Sequence, residues 1–225
     1  MSHKITCTKP LRGTWRVTWR FRPVRAAADR DAANKALLAA AEPFESLTEA
    51  AFSASPETLE AKIAKAEAAA NRVRDRLSPG AAGKLHDELA QARAARQAGN
   101  PADLAIASNE AYRILVGGVR EPTTIPKAVG LLDYAGFRYD ADLKAEPTRW
   151  GDMNEAAAFA LDQWQRLAPS VKDEPLRAKL AASLGTMGTA ATKQNAGRAK
   201  QAVTQEQDLV DALEGYFTKT AKTAG

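Results

Sequence analysis

The chain has 225 residues, with 32 Lys and Arg against 27 Asp and Glu and an apolar fraction of 45%, enough for one large or two small domains with a real core. Alanine supplies 49 of the residues, so closely packed helices are expected, each burying little area per side chain. Cys7 is the only cysteine, which excludes an internal disulfide framework, and no apolar run reaches the roughly 18 to 20 residues of a membrane-spanning helix, so no transmembrane segment is expected.

Residues 1–28 hold seven of the 32 basic residues and none of the acidic ones. Without them the balance is 25 basic to 27 acidic, and the formal charge moves from +5 to −2. The basic character belongs to this leader. Within it, residues 14–22 alternate, with Trp15, Val17, Trp19 and Phe21 on one side and Arg16, Arg20 and Arg22 mostly on the other, which is strand periodicity. Such a segment reads as a tail or edge strand, as a basic arm for nucleic acid or an anionic membrane, or as an export leader. Val24 to Asp29 supplies the small-residue junction of an export leader, although its apolar centre is missing. The junction weighs toward export and a periplasmic location, with the cytoplasm as the alternative.

From Asp29 onward the punctuation is helical. Ser55-Pro56 and Asn100-Pro101 each set a capping side chain before a proline suited to the first helical position, and Gly99 and Gly117-Gly118 mark helix ends. Leu59, Ile63, Ala66, Ala70, Val73 and Leu77 recur at three- and four-residue spacing, as do Met153, Ala156, Ala160, Trp164 and Leu167. The sequence predicts eight helices, near 30–52, 56–77, 81–98, 101–117, 126–144, 151–168, 173–195 and 198–218. The fold class expected is all-α, an antiparallel helical bundle.

The second half resembles the first. Arg76-Leu77-Ser78-Pro79 matches Arg166-Leu167-Ala168-Pro169, and Leu85 and Leu89 match Leu176 and Leu180. Two duplicated four-helix halves are therefore expected: a leader over 1–28, a first half over 29–118, a junction over 119–151, and the remainder of the second half over 152–225. The junction gathers Pro122, Pro126 and Pro147 with Tyr134, Phe137, Tyr139 and Trp150. Aromatics there either fill the core where the halves dock or line a pocket between them.

Catalytic motifs are missing. The only histidines, His3 and His86, form no metal-ligand pair, and no phosphate-binding glycine loop or nucleophile elbow occurs. No enzyme activity and no cofactor are expected. One polar pattern stands out: Val203, Glu206, Val210, Leu213 and Phe217 step by three and four, which puts Glu206 in line with an apolar stripe. Alignment of the halves makes Glu110 its counterpart. A carboxylate facing a core must be paired, hydrogen-bonded, protonated or bound to a cation.

Glu45, Asp133, Tyr134 and Arg138 complete a candidate ligand-binding set with Glu110 and Glu206, suited to a hard cation or a small molecule between the halves. The structural alternative pairs each Glu with a nearby Arg such as Arg113 or Arg138. A helical scaffold for a protein partner is a further reading, and nucleic acid is expected to bind only through residues 1–28. Asp208, Asp211 and Glu214 read as a solvated face.

Overall fold

The computed structural model describes residues 7–8 and 16–17 and the continuous stretch 23–223, with side chains from residue 26 onward. Eight α-helices follow in chain order: α1 (Pro23–Ala50), α2 (Pro56–Val73), α3 (Pro79–Gln97), α4 (Pro101–Gly117), α5 (Lys127–Lys144), α6 (Trp150–Leu167), α7 (Glu174–Thr192) and α8 (Ala196–Thr223). The fold is all-α. Cys7–Thr8 (β1) and Arg16–Val17 (β2) pair antiparallel; most of the alternating segment 14–22, and with it the choice among tail, arm and export leader, lies outside the described residues.

The capping chemistry sets the helix starts. The side chains of Ser55, Ser78, Asn100 and Asp173 accept hydrogen bonds from the amides of Thr58, Ala81, Asp103 and Leu176, satisfying donors that a first turn otherwise leaves unpaired. Helix α3 ends with Gly99 at φ 66° and the Asn100 amide donating back to the Ala95 carbonyl, the left-handed terminator glycine favours. Helix α7 ends the same way without a glycine: Gln194 takes φ 52° and the Asn195 amide donates to the Ala190 carbonyl. Asn100 and Asn195 then cap α4 and α8, the latter by accepting from the Arg198 amide.

Two elements differ from the sequence expectation. Helix α1 starts at Pro23 and not near residue 30; Ala26, Ala27 and Ala28 are strong helix formers and extend it toward the N-terminus. The matched Leu-x-Pro motifs are also out of register. Each half has a 3-10 turn between its second and third helices, but at Arg74–Arg76 it precedes the motif and Pro79 opens α3, whereas at Ala168–Ser170 it contains Pro169 and α7 starts only at Glu174.

In the first half α1 packs on α2 and α4, and α3 packs on α4. The second half repeats this order, with α5 on α6 and α8 and α7 on α8, while α6 and α7 pack far more extensively than α2 and α3. Helix α4 against α5 joins the halves. The core is continuous across that seam, running from Leu37 and Phe44 through Leu115, Leu132 and Tyr139 to Met187 and Leu213. A smaller apolar cluster around Leu47, Leu59, Ile63 and Leu104 fills the far end of the first half. No helix among the described residues is long and apolar enough to cross a membrane.

Candidate functional site

Helices α4 and α5 present polar side chains on both sides of their seam, and the two sides differ in charge. The side flanked by α3 and α6 is neutralised. Glu110 of α4 accepts from Arg138 Nη1 at 2.8 Å and from the Tyr134 hydroxyl through Oε1, and from Arg113 Nε at 2.8 Å through Oε2. Arg138 also donates to Asp142 Oδ2 at 2.9 Å and stands 3.6 Å from Asp152 of α6. The Arg113 guanidinium lies 5.5 Å from the Tyr134 ring centre, and Tyr134 packs edge-on against Phe159.

The protonation equilibria on this side follow burial opposed by neighbouring charge. Burial pushes Asp142 up to about 6 although Arg138 pulls it down. Burial, Glu110 and the hydrogen bond to it raise Tyr134. Burial and the Glu110 charge raise Glu88 of α3. Asp142 is fully buried, and its Oδ1 has no hydrogen-bond partner.

The side flanked by α1 and α8 carries acid without base. Asp133 of α5 is half-buried, and its carboxyl is pushed up to about 8, first by burial and then by the charge of Glu45, with the neighbouring Tyr112 hydroxyl opposing the rise. Tyr112 reaches α5 over Gly130, where a Cβ would stand 3.3 Å from the phenol oxygen. Burial raises Glu45 of α1, followed by the charges of Glu49, Glu214, Glu42 and Asp211, and burial and Asp211 raise Glu214 of α8. Among the described residues none of Glu42, Glu45, Glu49, Asp133, Glu206, Asp211 and Glu214 forms an ion pair.

Glu206 lies at the bottom of this side. It is 0% exposed and neither carboxyl oxygen has a hydrogen-bond partner. The carboxyl rests on α5 at Gly136, one turn beyond Asp133, where a Cβ would stand 2.2 Å from Oε2. Burial, and then the Asp133 charge, raise it well above the ordinary carboxyl range and so favour its protonated form.

No family model, curated protein or solved structure matches the chain. The site is thus read from its own chemistry. Of the six side chains singled out in the sequence, the fold brings Glu45, Asp133 and Glu206 to the acidic side and Glu110, Tyr134 and Arg138 to the neutralised side. Glu110 and Glu206 occupy corresponding helices but do not share a site, because α5 stands between them. The ion pairs anticipated for Glu110, with Arg113 and Arg138, are both present.

Tyr112 and the outer carboxylates Asp211 and Glu214 belong with the acidic side, although the three-residue acidic spacing read only as a solvated face. The missing signal was a tertiary one: α1 and α8 flank the same seam. Among the described residues no three His, Cys, Asp or Glu side chains stand in a metal-ligating arrangement. His86 is exposed.

Proposed function

We propose that this protein is a non-enzymatic ligand-binding or sensory accessory protein that takes a cationic ligand at the seam between its helical halves. The observation that carries the reading is Glu206: a fully buried carboxyl with two unpartnered oxygens, set beside Asp133 under a rim of carboxylates that no described Lys or Arg neutralises. Leaving such groups unpaired costs on the order of 1 to 3 kcal/mol or more per polar group. A bound cation repays that cost by supplying the missing electrostatic partner.

The test is thermal unfolding of the purified full chain against a panel of hard divalent cations and organic ammonium compounds. The expected result is a concentration-dependent rise in Tm with at least one cation, absent in Glu206→Gln. A panel without any shift would sink the reading.

Two companion proposals complete it. The common helix order and the matched Gly99-Asn100 and Gln194-Asn195 connections support an origin by internal duplication. The small-residue segment Val24 to Asp29 supports export to the periplasm, which mass-spectrometric mapping of the N-terminus of the protein from its native host tests directly; a protein beginning upstream of Val24 overturns it.

A further inference from the structure

The acidic side of the seam grades from open to closed. Glu42, Glu49, Asp211 and Glu214 are exposed, Glu45 and Asp133 are half-buried, and Glu206 is fully buried. Helices α1 and α8 supply the two walls, with Tyr112 of α4 and Asp133 of α5 between them. Glu42 to Glu49 covers about 10 Å of α1 and Glu206 to Glu214 about 12 Å of α8, at roughly 1.5 Å rise per residue. The negative charge is therefore drawn out as a strip with one end sunk into the protein.

That shape discriminates among cations. A calcium or magnesium ion needs about six oxygens converging at roughly 2.0 to 2.6 Å, and the described residues offer no such convergence. An elongated organic cation makes no such demand, because its ammonium groups are separated by methylene chains and each meets its own carboxylate, while the methylenes lie on apolar surface between the helices. The buried, unpartnered Glu206 next to Asp133 provides the anchoring end, with the buried Tyr112 side chain beside Asp133.

Resting on the cation-binding reading above, we propose that the ligand is a linear aliphatic polyamine lying between α1 and α8, with one terminal ammonium against Asp133 and Glu206 and the others along Glu45, Asp211 and Glu214. The titratable groups that act on one another along this path are acidic or phenolic: Glu42, Glu45 and Glu49 from α1, Tyr112 from α4, Asp133 from α5, and Glu206, Asp211 and Glu214 from α8. Binding draws the protons off Asp133 and Glu206, so affinity rises with pH from 6 to 8 while the amines stay charged.

Calorimetric titration of the full chain with spermidine, and separately with calcium chloride, tests this. Spermidine should bind with release of protons, at least tenfold more tightly than calcium. Glu45→Lys, which tethers a competing ammonium in the path, and Asp133→Asn should each weaken it by tenfold or more. Glu214→Gln, at an exposed position where folding is not at risk, should weaken it about threefold, and Glu155→Gln, at an exposed position on α6 on the other side of the seam, should leave it unchanged. Calcium binding that requires Glu206 without spermidine binding overturns the polyamine assignment and leaves the cation reading standing. Spermidine binding equal in all variants is non-specific charge attraction and also overturns it, and no binding of either probe overturns both.

Discussion

Glu206 of α8 lays its carboxyl directly on the backbone of Gly136 of α5, so closely that a Cβ at position 136 would stand 2.2 Å from Oε2 and 3.2 Å from the carboxyl carbon. The glycine is required by this approach and not by its φ. Gly136→Ala should therefore destabilise the fold by about 1 to 3 kcal/mol, the usual cost of overpacking, even though alanine is the better helix former by up to about 1 kcal/mol. In a Glu206→Ala background the same change should cost nothing or stabilise. Urea unfolding of the four proteins in a double-mutant cycle measures the coupling; equal effects of Gly136→Ala in both backgrounds would refute the contact.

The carboxyls around the seam make stability depend on pH in one direction. Asp133, pushed up to about 8, Asp142, pushed up to about 6, and Glu206, raised well above its ordinary value, hold protons in the folded state that the unfolded chain has already released. The folded state then binds more protons than the unfolded one, so the stability these groups contribute is fully present below the unfolded pKa near 4 and is lost as pH rises, through about 6 for Asp142 and about 8 for Asp133. Denaturant unfolding between pH 5 and 8 should show a loss of a few kcal/mol, an order-of-magnitude expectation from about 1.4 kcal/mol per pH unit and proton. The Asp133→Asn and Glu206→Gln double variant should flatten most of it.

The sequence made the helices legible because their local signals agree: proline after a capping residue, glycine at an end, and apolar spacing of three and four. It also put Glu206 in the core, since Val203, Val210, Leu213 and Phe217 bracket it on one stripe and all are buried. It did not reveal which carboxylates meet. Glu110 and Tyr112 are two residues apart on α4 and point to opposite sides of the seam, a separation that only the packing of α5 turns into two different environments. Pro169 misled the register because Ala168 before it lacks the capping oxygen that Ser78 offers the Ala81 amide, so the proline falls in a 3-10 turn and does not open a helix.

Tyr139 is fully buried and its hydroxyl donates to the Met187 carbonyl at 2.9 Å, tying α5 to α7. Burial pushes its phenol up to about 12. Tyr139→Phe keeps the ring and removes the donor, leaving that carbonyl without this bond. The expected cost is about 1 kcal/mol, read as a lower urea midpoint with unchanged slope.

Arg138 reaches Glu110, Asp142 and Asp152, and Asp142 beneath it is fully buried. Arg138→Met keeps the length of the side chain and removes the charge, which strands Asp142 with both oxygens unpaired. The expected loss is about 3 kcal/mol, at the lower end for breaking a buried pair because Arg138 itself is 21% exposed. Adding Asp142→Asn should restore about half, since a neutral amide costs less to bury than a carboxylate. If Asp142→Asn instead deepens the loss in the Arg138→Met background, the pair is not the source of the stability.

Gln194 and Gly99 hold the same left-handed position at the ends of α7 and α3, at φ 52° and φ 66°. A side chain in that conformation costs about 1 kcal/mol relative to glycine, because its Cβ crowds the neighbouring carbonyl. The terminator hydrogen bond from the Asn195 amide to Ala190 does not involve the Gln194 side chain, so nothing is lost by removing it. Gln194→Gly should thus stabilise the fold by about 0.5 to 1 kcal/mol, and Gly99→Gln should destabilise it by a similar amount. Opposite shifts in urea midpoint from this reciprocal pair would establish that the two halves end their third helices by the same backbone device; shifts of the same sign would show that the two connections are only superficially alike.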